Sequence, residues 1–158
     1  MAPGIPDVQE SPGGRIQTFL DNACSKPDSS SFEIYCMKQV KLTKAEVGIA
    51  EFEFTVTQQM CNPLGILHGG CASTILDVLT STATFTAPDS DGAISSLSRT
   101  LSVTFLRPVP LDTTVRVVVK LVAVGKKYVN CTGEIQTLDG KVCVTCVHDK
   151  AIWRIAKI

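Results

Sequence analysis

Residues 62–77 read Asn62-Pro63-Leu64-Gly65-Ile66-Leu67-His68-Gly69-Gly70-Cys71-Ala72-Ser73-Thr74-Ile75-Leu76-Asp77. A loop containing Pro and Gly runs through His68-Gly69-Gly70 into an apolar segment that holds one carboxylate, Asp77. From Phe54 to Pro88, Asp77 is the only fully charged residue. An isolated Asp in such a segment is costly unless it is paired or used. Glycines at a helix start expose backbone N–H groups that can hold a developing negative charge. The stretch therefore joins a candidate acid/base or nucleophilic carboxylate to a candidate oxyanion-binding amide.

Outward from this stretch, the spacing predicts one long helix over 68 to about 86. On a helical wheel Ile75, Leu79, Ala72, Ala83 and Leu76 share one arc. Ser73, Thr80, Thr84, Asp77, Gly70, Ser81 and Thr74 share the opposite arc. That arc is polar yet almost uncharged, whereas a solvated face normally carries Lys and Glu. It reads as a surface for close packing against a second helix or chain.

Before the helix, Arg15 to Cys24 has Ile16, Phe19, Leu20 and Ala23 at helical spacing, and Lys26 to Ser31 reads as a linker. Phe32 to Thr43 and Ala45 to Thr57 alternate in strand fashion, with a tight turn near Thr43 to Glu46. After the helix, Ala87 to Gly92 reads as a turn. Four β segments follow, roughly 94–107, 113–124, 127–137 and 141–155. Pro108-Val109-Pro110-Leu111-Asp112, Gly125 and Leu138-Asp139-Gly140 break them. Short turns between the last strands imply an antiparallel sheet. The predicted class is α+β, one long helix on a curved antiparallel sheet.

The 158 residues make one domain over 15–158, after a tail at 1–14 rich in Pro and Gly that reads as flexible. An apolar fraction of 44 % supports a core. The 15 basic and 15 acidic residues cancel, which argues against nucleic acid as a partner. No stretch approaches the roughly 20 apolar residues of a membrane span. The N-terminus lacks the pattern of a secretory signal or an Arg-rich transit peptide. Seven cysteines, at 24, 36, 61, 71, 131, 143 and 146, lie mostly in apolar segments. They read as buried free thiols in a reducing, intracellular compartment, the cytoplasm or the mitochondrion. Cys143 and Cys146 form a C-x-x-C. On a strand an offset of three sends the two sulfurs to opposite faces, which argues against a metal or redox pair.

The element order and the motif resemble the hotdog fold, and the residues resemble its acyl-CoA thioesterase branch related to 4-hydroxybenzoyl-CoA and phenylacetyl-CoA thioesterases. The likeness extends to the group of mammalian acyl-CoA thioesterase thirteen. It is carried by Asn62, Gly65, His68-Gly69-Gly70, Asp77, Thr104-Phe105-Leu106-Arg107-Pro108 and Gly125-Lys126, within roughly residues 45–153. The resemblance implies hydrolysis of acyl-CoA to free acid and CoA, in lipid metabolism. It implies that Asn62 holds the water or the thioester, that the Gly69 N–H binds the thioester oxygen, and that Asp77 is general base or nucleophile. It assigns water support to Ser98, with Ser95, Ser96 and Ser102 close by. Arg99-Thr100 departs from the acidic residue expected after that serine.

Thioester hydrolysis needs no metal or organic cofactor. It needs an oxyanion donor and a carboxylate near the carbonyl carbon. Gly69 and Asp77 lie eight residues apart on one helix, about 12 Å along its axis. One chain's pair is therefore too far apart to serve one carbonyl, which predicts a two-fold homodimer with shared sites. Asn62 and Gly69 come from one subunit, Asp77 and Ser98 from the other. The resemblance adds pairing of dimers into a homotetramer. Coenzyme A phosphates call for surface cations, for which Arg107, Lys126 and Lys127 are candidates. Gly70 and Leu64 are further substrate-binding candidates, and Ile66, Leu76 and Phe85 candidate acyl-tunnel residues. His68 is either catalytic or a hydrogen-bonding residue at the helix start. A Cys71/His68/Asp77 triad fails on spacing, and no G-x-S-x-G is present. A hotdog hydratase or dehydratase acting on acyl thioesters, and a non-catalytic acyl-CoA-binding protein, are the rival readings.

Overall fold

The computed structural model describes residues 11–24, 32–87 and 95–153. The expected linker 26–31 and residues 1–10 of the expected tail lie outside the described residues, as does most of the expected turn at 87–92. Helix α1 spans Pro12–Cys24 and α2 spans Phe32–Met37. Strands β1 (Lys41–Glu46) and β2 (Ile49–Thr55) precede the long helix α3 (Gly69–Thr82). Strands β3 (Ser96–Phe105), β4 (Thr114–Val124), β5 (Tyr128–Thr137) and β6 (Val142–Ile152) complete the fold. They form one sheet in the order β1-β2-β4-β5-β6-β3, antiparallel throughout. This is the hotdog arrangement, a long helix wrapped by a curved sheet. Among the described residues no helix is long and apolar enough to cross a membrane.

Period-two alternation builds the face that wraps α3. Ala50, Phe52 and Phe54 on β2, Val115, Val117 and Val119 on β4, and Val129, Cys131 and Ile135 on β5 are buried. They pack with Ile75, Leu76 and Leu79 of α3. The helix crosses the sheet closest at Gly133. A Cβ there would stand 2.8 Å from Thr80 Cγ2 and 2.9 Å from Leu76 Cδ2. Only a residue without a side chain lets the two layers approach this far.

Three local expectations are corrected. Residues 32–37 are helical rather than extended, with Cys36 and Met37 buried. A six-residue apolar segment satisfies either period, so alternation could not decide between them. The β1–β2 turn falls at Val47-Gly48 rather than at Thr43–Glu46, with Gly48 at φ +81°, a conformation that favours glycine. Thr80 and Thr84 of the polar arc are buried under the chain's own sheet. A fourth difference concerns the C-x-x-C pair. The β5–β6 register shifts so that Cys143 has no partner between Val142 and Val144. That bulge breaks strict alternation, and Cys143 and Cys146 are both buried.

Candidate active site

Two groups of predicted residues assemble at different levels along α3. At its N-terminus His68 is the cap, and its Nδ1 accepts from the Gly70 N–H at 2.9 Å. That bond uses one orphan donor of the first turn and sets the ring proton on Nε2. The two glycines make room for rings. A Cβ on Gly70 would lie 3.1 Å from His68 Nδ1, and one on Gly69 would lie 3.1 Å from the Phe105 ring. His68 thus serves helix geometry here.

The loop before it is tied by Asn62. Its Oδ1 accepts from the N–H groups of Leu64 (2.9 Å) and Ile66 (3.4 Å), and Gly65 sits at φ +72°. With the oxygen committed, the Nδ2 donors are the remaining function of the Asn62 amide. Asn62, Gly69 and Arg107 line one cavity of about 360 Å³ with Ile66, Phe105 and Val144. Leu64 is exposed, and Leu76 lies in the core. Phe85 packs edge-on against Phe19, with centroids 5.3 Å apart. None of these three lines the cavity.

Toward the other end of the helix stands Asp77, its side chain 43 % exposed. Edge strand β3 pairs with β6 so that Ser98 lies opposite Lys150. Ser98 Oγ donates to Asp77 Oδ1 at 2.8 Å. Two residues that the sequence reading missed complete the cluster. His148, fully buried, has Nε2 3.3 Å from the same Oδ1 and Nδ1 2.7 Å from Thr80 Oγ1. Lys150, also buried, donates to Ser81 Oγ at 2.8 Å and Ser98 Oγ at 3.2 Å. Burial, reinforced by Lys150, pushes the His148 pKa down to about 4, so the ring is neutral near pH 7. Thr80 Oγ1 gives its one proton to the Leu76 carbonyl at 2.6 Å and so accepts from Nδ1–H, which leaves the buried Nε2 without a hydrogen-bond partner among the described residues. Burial also lowers the Lys150 pKa, against the pull of Asp77. The signal was present in β6, where Val144, Cys146, His148 and Lys150 alternate onto the buried side. A His and a Lys on such a face need partners.

Arg99, the residue that departs from the expected pattern, turns away. It is the bulge residue of β3, pairs with Asp149 at 2.8 Å and stacks over the Tyr128 ring. Lys126 and Lys127 are exposed in the β4–β5 turn. That turn belongs to the Ser98 end of the sheet, since the Lys127 carbonyl accepts from Ile152 N and Ile152 pairs with Ser96. Among the described residues no group of three His, Cys, Asp or Glu side chains could hold a metal ion. Burial raises the pKa of the Cys71 thiol to about 12, which opposes a nucleophilic role.

The arrangement places main-chain N–H groups at the start of α3 and, two turns on, a carboxylate whose Oδ1 accepts from Ser98. Zebrafish thioesterase superfamily member 2 superposes with a TM-score of 0.79 at 18% identity, over 92% of this chain and 100% of that one. The PaaI protein of the E. coli phenylacetic acid degradation operon superposes with a TM-score of 0.65 at 21% identity, over 73% and 80%. A hypothetical thioesterase protein from Streptococcus pneumoniae TIGR4, in a structure with coenzyme A, gives 0.68 at 16% identity, over 73% and 87%. These likenesses are likenesses of fold. A search of curated proteins finds no match. The family profile of the thioesterase superfamily matches residues 64–144, just over half of the chain and including the HGG motif, Asp77, Ser98, and Arg107. The chain belongs to the thioesterase superfamily.

Proposed function

We propose that the protein hydrolyses acyl-CoA thioesters, with each site built from two subunits of a dimer. The observation that carries this reading is the state of Asp77. Ser98 and His148 both approach Oδ1, and among the described residues nothing is bonded to Oδ2. That free oxygen is the one to meet a water or the thioester carbon.

In this reading the carbonyl oxygen lies against the Gly69 N–H and the Asn62 amide of one subunit. The partner's helix runs antiparallel and brings its own carboxylate and serine to the same carbonyl. Asp77 either takes the proton of an attacking water, or attacks the carbon itself to form a mixed anhydride that water then cleaves to the free acid, restoring the carboxylate. The oxyanion collapses, the C–S bond breaks and CoA leaves as the thiolate. Arg107 at the cavity, with Lys126 and Lys127 from the other subunit, serves the CoA phosphates. The β3 edge supports the assembly. It is ten residues long, unpaired on one side among the described residues, and exposes Leu97 and Phe105. Such an edge calls for a partner strand.

The test is release of free thiol from a panel of short, long and aryl acyl-CoAs. Wild type turns over at least one class, and Asp77→Ala loses about 10²-fold or more while keeping fold and ligand binding. No turnover by wild type on any acyl-CoA would favour the hydratase or binding-protein readings.

A further inference from the structure

Lys150 is 3% exposed, on a strand face otherwise given to Val144, Cys146 and His148. Burying an ammonium is expensive unless every proton is used to advantage. An ammonium has protons and no lone pairs, so each contact it makes takes a lone pair from the neighbour. Its two hydroxyl partners are Ser81 and Ser98. Once Lys150 occupies their lone pairs, their own protons must point elsewhere, and both point to one residue. Ser98 donates to Asp77 Oδ1 at 2.8 Å, and Ser81 donates to the Asp77 main-chain carbonyl at 2.6 Å. The side chain and the backbone of Asp77 are thus each held by a hydroxyl that the same cation orients.

We propose that Lys150 is a positioning residue for thioester hydrolysis, fixing Ser81 and Ser98 as donors to Asp77 so that the carboxylate is held by one oxygen and presents the other. The inference rests on the thioesterase reading of the site. The groups that face Asp77 leave Lys150 as its only cation among the described residues. From β6 come His148 and Cys146. Cys131 of β5 lies close to Lys150. Burial sets the pKa of His148 at about 4 and those of Cys146 and Cys131 at about 11, so all three are uncharged near pH 7. Asp149 belongs to the other face of β6, bound to Arg99 and Asn130.

The experiment uses the full chain with an acyl-CoA that wild type hydrolyses. Lys150→Met keeps length and removes charge. It is expected to lower kcat at least about tenfold, to leave KM within about twofold, and to move the acid limb of kcat/KM to higher pH. Lys150→Arg restores a cation and is expected to return the acid limb toward wild type. Because the lysine acts through the serines, Lys150→Met in a Ser98→Ala background should cost far less than it costs alone. Should Lys150→Met fail to fold, Ser81→Ala removes one acceptor of the ammonium and is expected to lower kcat in the same direction by a smaller factor. Unchanged kcat and acid limb in Lys150→Met, or in Ser81→Ala if that is the variant that folds, would overturn the proposal, as would fully multiplicative losses with Ser98→Ala. Failure of wild type to hydrolyse any acyl-CoA would overturn the thioesterase reading and this inference together.

Discussion

His148 and Lys150 flank the same carboxylate, yet burial acts on them in one direction, disfavouring the protonated form of each. For His148 this links stability to pH. Its pKa lies at about 4 when folded, against an ordinary 6.5. The unfolded chain therefore binds this proton first as pH falls. The stabilisation is complete above pH 6.5 and is lost between 6.5 and about 4. Stepwise thermal unfolding should show the midpoint falling across that window, with a shallower fall in His148→Gln. An equal slope in the variant would assign the whole effect to carboxylates. Of the candidate site, the proximity of Asn62 to Gly69 and of Ser98 to Asp77 follows the spaced set of residues that carries the family resemblance. His148 and Lys150 were not legible because they lie more than 40 residues beyond that set, on a strand whose burial facing Asp77 depends on the sheet order.

At the scale of elements, α3 is shaped by small residues on both of its faces. Toward the sheet, Gly133 admits Thr80 and Leu76. A Cβ at 2.8–3.0 Å from Thr80, Leu76 and Cys146 side-chain atoms requires a shift. Gly133→Ala should accordingly destabilise by about 1–3 kcal/mol, read from urea denaturation midpoints. A midpoint unchanged within error would mean that the helix can lift without cost. Away from the sheet, Ser73 and Thr74 donate back to the carbonyls of Gly69 and Gly70. Their hydroxyls are spent within the helix, so this polar arc behaves as a nearly apolar surface suited to close packing. The long helix, the hairpins and the antiparallel class were legible from periodicity and turn residues. The burial of Thr80 and Thr84 was not, because a helical wheel sorts residues by polarity and cannot see a hydroxyl satisfied by its own backbone.

For the whole molecule, the separation of oxyanion donors from carboxylate along one helix makes the dimer a chemical requirement of the proposed reaction. It is testable by mixing two inactive variants. In Asn62→Ala every site lacks its amide, and in Asp77→Ala every site lacks its carboxylate. A heterodimer of the two carries both defects in one site and neither in the other. Random exchange should restore about a quarter of wild-type activity. No recovery after verified subunit exchange would place each complete site within one chain. The strand order lay beyond the sequence, since nothing in residues 96–105 names β6 as their neighbour rather than β4.

That strand order has a consequence for how the chain acquires its structure. Among the described residues β3 has only β6 beside it, and residues 106–141 must be made before the pairing can close. During synthesis β3 therefore waits with both edges open, carrying exposed Leu97 and Phe105, the kind of segment on which nascent chains aggregate. Ser98 reaches Asp77 only when this late, long-range closure is complete. Strand β6 both closes onto β3 and supplies His148 and Lys150 to the surroundings of the carboxylate, so chains in which it has not paired lack the means for the proposed chemistry.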